Sequence, residues 1–247
     1  MKKILLIFLL IISFTSFSKE IINIGLDDTF APMGFRSEKG EIVGFDIDLS
    51  REVCKRLDLE PNYIPCDWDG ILFQLKTGRI DLIWNGLTVT ENRKKEILFS
   101  DNYLDDGQVI LVRENSNVKN LKDLENKKIG VQMGSTSYFA LEKSSIYGNL
   151  NEVRKYSSNV EAILDLEAGR TNGVIIDEVV GRYYQKKEKN LKILNIKFPK
   201  AAFAVGMRKN DKNLQIKINK ALNEIKKDGT FDSIKKKWFG EENNYGK

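Results

Sequence analysis

Ile80-Asp81-Leu82-Ile83-Trp84-Asn85-Gly86-Leu87-Thr88-Val89-Thr90-Glu91-Asn92-Arg93 is the stretch on which the fold turns. Ile80 to Ile83 is short, apolar and β-branched, and it reads as a buried strand. Thr90 then offers a helix N-cap and Glu91 suits a first turn, so a helix starts immediately afterwards. Working outward towards the N-terminus, Ile71, Leu72 and Leu75 mark a short helix that ends near Gly78. Tyr63-Ile64 precedes it as a strand. Leu49, Val53 and Leu57 recur at helical spacing before that, and Ile21 to Ile24 opens the series as a strand. The order is β-α-β-α-β, which calls for a mainly parallel sheet covered by helices on both faces.

The same grammar restarts further on. Val109-Ile110-Leu111-Val112 and Lys128-Ile129-Gly130-Val131 read as strands, with polar chain from Arg113 to Lys119 between them. Val160, Ile163, Leu164 and Leu166 form a helix ending at Gly169. Val174-Ile175-Ile176 is a strand, after which Asp177 begins a helix, and Phe203-Ala204-Val205-Gly206 is a late strand. Leu214, Ile218 and Leu222 give an amphipathic helix, and the apolar pattern continues through Ile225, Phe231, Ile234, Trp238 and Phe239. Two α/β units follow one another with no Pro/Gly/Ser-rich linker. Two lobes joined by strands, with a cleft between them, satisfy this pattern, and ligands in such sheets bind beyond the carboxyl ends of strands.

Candidate ligand-binding residues cluster at those ends. Arg93, one turn into its helix, has the fork of donors that grips a carboxylate through two parallel hydrogen bonds; taken alone it also fits a solvated helix surface. Gly134-Ser135-Thr136-Ser137 sits between a strand and a helix, where free N–H groups and hydroxyls suit an anion, or where Ser135 or Thr136 simply caps the helix. Asp27 and Asp177 each follow a strand and can pair with an ammonium group or serve as turn residues. Phe30, Trp68 and Trp84 are rings at strand ends, placed for core packing or for stacking on a ligand.

The 247-residue chain contains no histidine and two cysteines. No Ser-His-Asp or Cys-His machinery can be built from it, and two cysteines cannot close a structural zinc site. General acid-base work would fall to carboxylates, Lys or Tyr. Forty Lys and Arg against 35 Asp and Glu leave +5, with no basic stripe interleaved with aromatics, so nucleic acid is not an expected partner. Lys2 and Lys3 precede an apolar run from Ile4 to Ile12 that is too short to span a bilayer, and Ser16 and Ser18 offer a cleavage site before Lys19. Residues 1–18 thus read as a secretory signal peptide, and a periplasmic location follows for a freely soluble product. Cys54 and Cys66 can pair in such a compartment, but their spacing leaves the pairing open.

Ordered motifs across the whole mature chain resemble the extracellular amino-acid-binding proteins that feed ABC importers, the relatives of lysine/arginine/ornithine-, histidine- and glutamine-binding proteins. They are Ile24-Gly25-Leu26-Asp27 with Ala31-Pro32, Val43-Gly44-Phe45-Asp46-Ile47-Asp48-Leu49, Trp68-Asp69-Gly70-Ile71 and Leu75-Lys76-Thr77-Gly78-Arg79-Ile80-Asp81. Thr88 to Arg93 with Phe99-Ser100-Asp101-Asn102-Tyr103 is the most specific part. Ile129 to Thr136, Ala168-Gly169-Arg170 and Lys227 to Phe231 through Lys237-Trp238-Phe239-Gly240 complete the set.

The resemblance implies a two-lobe periplasmic binding protein fold on two hinge strands, with residues 19–108 and 204–247 in the first lobe and 109–203 in the second. It implies that Arg93, Thr88 and Thr136 hold a ligand α-carboxylate, with Ser135 beside them. Asp177 and the Gly86 backbone would take the α-ammonium, Trp68 and Phe30 would sandwich the side chain, and Asp27 would face its far end. Three departures fall around the side-chain pocket. Asn85-Gly86 stands where the basic-amino-acid binders have a serine pair, Phe30 replaces a tyrosine, and Gln132 occupies an often apolar position. The second cysteine is also displaced from the family's place for it. The resemblance therefore implies a monomeric receptor that binds a free L-amino acid, needs no cofactor or metal and delivers its ligand to a membrane permease. A basic amino acid is favoured over glutamine, with cystine also open. A cyclohexadienyl dehydratase-like enzyme on the same fold is the alternative.

Overall fold

The computed structural model describes residues 19–196 and 198–240. The expected signal peptide lies outside the described residues. The chain builds two five-stranded sheets. The first has the order Leu59–Pro65, Glu20–Leu26, Leu82–Ile83, Gly206–Met207, Leu98–Phe99. The second has the order Glu152–Tyr156, Lys128–Gln132, Gly173–Asp177, Gln108–Arg113, Leu191–Ile193.

In each sheet one strand runs against the other four. Gly206–Met207 is antiparallel to both its neighbours, and so is Gln108–Arg113. These are the strands by which the chain enters each lobe from the other. The remaining strands end at the cleft, whereas these two begin there. The crossings themselves, Leu104–Asp106 and Ala201–Phe203, pair antiparallel as a two-stranded hinge, with Asp106 opposite Ala201 and Leu104 opposite Phe203.

Helices cover both faces of each sheet because consecutive strand residues are buried on opposite sides. Leu82 packs in a cluster with Phe45, Leu49 and Val53 of the helix Phe45–Arg56 and with Ile218, Leu222 and Ile225 of the helix Lys212–Lys227. Ile83, the next residue, packs instead with Ile71 and Leu75 of the helix Ile71–Lys76. Val174 and Ile176 likewise face one way, and Ile175 the other. Burying each such aliphatic or aromatic side chain contributes about 1.5–3 kcal/mol.

Two expectations change, and the open question of the cysteines is answered. The third strand is confined to Leu82–Ile83: Asp81 N still donates to Asn23 O at 2.7 Å, but Asn23 N is taken at 2.9 Å by the Asp81 carboxylate, which also accepts from the Arg208 guanidinium at 3.0 Å. The late strand expected from Phe203 to Gly206 is two strands, Ala201–Phe203 in the hinge and Gly206–Met207 in the first sheet. Between them Val205 N turns to Ser100 Oγ and Ala204 N to Leu87 O. Cys54, buried in its helix, and Cys66 are both free thiols.

Candidate functional site

The site lies where strand ends from both sheets meet. Thr90 caps the helix Glu91–Glu96, its hydroxyl accepting from Arg93 N at 3.2 Å, and this fixes where Arg93 leaves the helix. The side chain does not enter solvent. Arg93 is 8 % exposed and lies over the Trp68 ring, 5.9 Å from its centroid. It donates to Thr88 O at 2.9 Å in its own lobe and to Gly134 O at 3.3 Å in the other. Among the described residues no carboxylate lies within ion-pair distance of its nitrogens. A guanidinium has five N–H donors, and two neutral carbonyls neither satisfy them nor balance the charge. Burial lowers its pKa to about 10, against a smaller opposing pull from Asp177.

From the second lobe, Gly134 has a φ of 68°, and a Cβ there would sit 2.8 Å from Asp69 Cα. Only glycine permits so close an approach of the lobes. Ser135 caps the helix Thr136–Glu142, accepting from Tyr138 N at 3.1 Å and donating to Gln132 O at 2.8 Å, so its hydroxyl is spent on local structure. Thr136 Oγ1 meets Thr88 Oγ1 across the cleft at 3.1 Å.

Asp27 is 7 % exposed and accepts from Thr29 N and Oγ1 at 2.9 and 2.6 Å and from Gln132 Nε2, in the opposite lobe, at 2.7 Å. Burial nevertheless raises its pKa. Gln132 is aimed by Asn159, which donates to its Oε1 at 3.0 Å. Phe30 and Trp68 form two nearly parallel plates, 10° apart, with centroids 6.4 Å from one another. Asn85 accepts from Asp27 N. Gly86 N donates to Asp46 Oδ2 at 2.6 Å, and the residue lines the cleft. A Cβ on Gly86 would strike Phe30 at 2.6 Å. Asp177 ends its strand beside Gln108, whose Nε2 donates to it at 3.3 Å, and burial raises the carboxyl pKa.

The rings Phe30 and Trp68, the first-lobe groups Asn85, Gly86 and Thr88, and the second-lobe groups Gln132, Ser135, Thr136 and Asp177 line a narrow space of about 10 Å³, room for about one water, so a larger ligand enters only when the lobes part. Arg93 and Asp27 lie beside this space, each bonded across the cleft, to Gly134 O and to Gln132 Nε2. Beyond Asp27 an open groove carries Asp28, Asp67, Glu161 and Arg79. The residues singled out in the sequence as ligand-binding, Trp84 excepted, are thus brought to one cleft. Trp84 is not at its surface; it is fully buried and packs on Tyr103. Sequence reasoning passed over Asp46, Asp106, Gln108 and Asn159 as site-supporting groups. The one available signal was an acidic pair, Asp105-Asp106, directly before a strong apolar strand. Among the described residues no cluster of three or more metal-ligating side chains occurs.

Residues 22–241 match the model of the bacterial extracellular solute-binding proteins, family 3. The chain belongs to that family. Among family 3 relatives, the lysine/arginine/ornithine-binding periplasmic protein of Escherichia coli is 34 % identical over 229 residues, covering 89 % of this chain and 88 % of that one. An L-cystine-binding protein of the same species is 31 % identical over 220 residues, covering 88 % and 82 %. A substrate-binding protein of an ABC uptake transporter from Streptococcus pneumoniae, solved with bound histidine, superposes with a TM-score of 0.87 at 38 % identity, covering 90 % and 93 %. An ancestral amino-acid-binding protein, a precursor of cyclohexadienyl dehydratase, superposes at 0.83 with 33 % identity, covering 89 % and 95 %. The two-lobe α/β architecture of this family 3 chain is therefore that of amino-acid-binding proteins.

Proposed function

We propose that the protein binds one free polar L-amino acid between its lobes and delivers it to the permease of an ABC importer, acting as a monomer exported through a cleaved signal peptide. The observation that carries this reading is Arg93, a nine-tenths buried guanidinium whose hydrogen-bond partners are both neutral carbonyls. An α-carboxylate between Arg93, Thr88 and Thr136 would supply the missing charge. Asp177 and the Gly86 carbonyl would accept from the α-ammonium, so both charged ends of the ligand are paired in a dry site. The aliphatic part would lie between Phe30 and Trp68, and its far end would reach Asp27 and Gln132. In this reading residues 19–108 and 204–247 move as one lobe against 109–203.

A buried Asp27, with an acidic groove beyond it, favours a cationic side chain such as that of arginine or lysine. Glutamine is next, since Gln132 and Asp27 together present both a donor and an acceptor. Cystine, the ligand named for one relative, is the third candidate. A second reading, a dehydratase that uses a buried carboxylic acid, draws on the raised Asp177 and on the solved precursor above.

A thermal-shift screen of the chain from Lys19 against all amino acids and cystine tests the proposal, since a tight ligand raises apparent stability by mass action. Arginine or lysine is expected to give the largest shift. No shift with any amino acid, together with turnover of prephenate, would replace the receptor by the enzyme.

A further inference from the structure

Two carboxyls stand against each other at the root of the cleft. Asp177 ends the strand Gly173–Asp177, and Asp106 ends the hinge strand Leu104–Asp106. They are 5 % and 3 % exposed. Asp106 Oδ1 accepts from Val179 N at 3.3 Å, in the first turn of the helix Glu178–Lys187. Asp106 Oδ2 is buried without a hydrogen-bond partner, and beside the Asp106 carboxyl stand the Gly107 backbone N–H and the Asp177 carboxyl, which the pairing of Asp177 with Gln108 places diagonally across from it. Asp177 Oδ1 takes the Gln108 amide. The other titratable groups facing the pair are Arg93, across the cleft from Asp177, and Tyr103, just before the hinge strand. Tyr103 gives its hydroxyl proton to Asp46 at 3.0 Å and so has none for Asp106. Arg93 donates to backbone carbonyls and forms an ion pair with neither acid.

Two adjacent carboxylates in a low-dielectric site, with no cation between them, cannot both ionise cheaply. One proton between them turns the repulsion into an O–H···O hydrogen bond and gives Asp106 Oδ2 its partner. Burial and mutual repulsion hold Asp106 well above the usual carboxylate range, in the direction that keeps this proton bound near neutrality.

We propose that Asp106 and Asp177 share one proton while the cleft is unliganded, and that a ligand ammonium group docking on Asp177 expels it to solvent. The ammonium keeps its own three protons; the expelled proton is the one that joined the two acids. Asp106 acts through Asp177 and is a positioning residue. For the ammonium step the inference rests on the amino-acid reading above. The linkage sign follows from the pair's pKa, which is higher in the free than in the bound cleft. Binding therefore releases a proton, and affinity rises with pH until the free pair is itself deprotonated.

Calorimetry with L-arginine as probe, in phosphate and in Tris, reads the proton count from the difference in heats. At pH 7 the native protein is expected to release close to one proton per L-arginine bound. Asp106→Asn keeps an oxygen for Val179 N and gives Asp177 a permanent N–H donor, so release should fall to near zero. Asp106→Ser serves the same purpose if the first variant folds poorly. Binding without proton release in the native protein, or equal release in a folded Asp106 variant, overturns the proposal. Infrared spectra of the unliganded protein at pH 8 give a reading that needs no ligand. A protonated-carboxyl band lost in Asp106→Asn supports the shared proton, and an unchanged spectrum refutes it. Absence of any L-arginine heat removes arginine as the ligand without touching the shared proton, which the band then decides by itself.

Discussion

Arg93 shows how one side chain can be stable and incomplete together. Its fork is held by a carbonyl from each lobe and by the Trp68 face, yet these supply no counter-charge. Arg93→Ala should weaken L-arginine binding by about 2–5 kcal/mol, as for truncating one partner of a buried charge pair; calorimetry giving native affinity would remove Arg93 from the site. Asp27 is held in the opposite sense, as an anion made costly by burial and supported by Thr29 and Gln132. Asp27→Asn should cost lysine and arginine at least tenfold more affinity than glutamine, because an amide side chain needs no buried charge. Equal losses for all three would take Asp27 out of the specificity pocket. At this scale the sequence was informative about Arg93, Asp177 and Thr88, because strand ends and a capping threonine locate them. It was silent on Asp106 and Asp46, because a carboxylate before a strand or at a helix start has many ordinary uses. Only three-dimensional burial separates these two from the rest.

At the scale of elements, the first turn of the helix Phe45–Arg56 is tied to the cleft through Asp46. This fully buried carboxyl takes Gly86 N and the Tyr103 hydroxyl on one oxygen, and burial raises its pKa to about 7. A folded-state pKa above the unfolded one means that the folded protein holds the proton more tightly. The resulting stability is complete below about pH 4 and is lost as pH rises through about 7. Asp46→Asn should flatten this loss, which amounts to about 4 kcal/mol at most for a shift of that size. Urea unfolding of both proteins at pH 5 and pH 8 measures it, and the same pH difference in each would show that Asp46 does not titrate there. The turn before the helix Thr136–Glu142 is a second such element. In Gly134→Ala, the left-handed φ should cost the free protein about 1–2 kcal/mol. The added Cβ would meet the Asp69 backbone only when the lobes are together, so L-arginine affinity should fall further than stability. Element existence was legible in the sequence, because apolar runs and glycine stops are local signals. Element ends were less so. The division of the late strand was hidden because Phe203 to Gly206 is apolar and buried throughout, with no polar break to mark where the hinge strand stops.

For the molecule as a whole, the contacts Thr88–Thr136, Arg93–Gly134 and Asp27–Gln132 all cross the cleft and are few. An interface of this kind opens and closes as a population shift, biased by whichever form the ligand binds better. Small-angle scattering should show the native protein contracting on addition of L-arginine and Arg93→Ala keeping its free dimensions; contraction in both would mean that closure does not depend on the carboxylate clamp. The two-unit plan was visible in the sequence as a repeated β-α-β order. The reversed strand in each sheet was not, since direction is set by where the chain enters a lobe rather than by local composition.

That reversed pair carries a consequence for how the gene can be cut. The chain leaves the first sheet at Leu104–Asp106 and returns at Ala201–Phe203, with Asp106 and Ala201 side by side in one ladder. Antiparallel neighbours are joined by as little as a two-residue hairpin. Nearly a hundred residues are thus spliced in as a cassette between adjacent endpoints. A short turn could replace them without stretching the remaining chain, and the same junctions are where a foreign second lobe would be grafted.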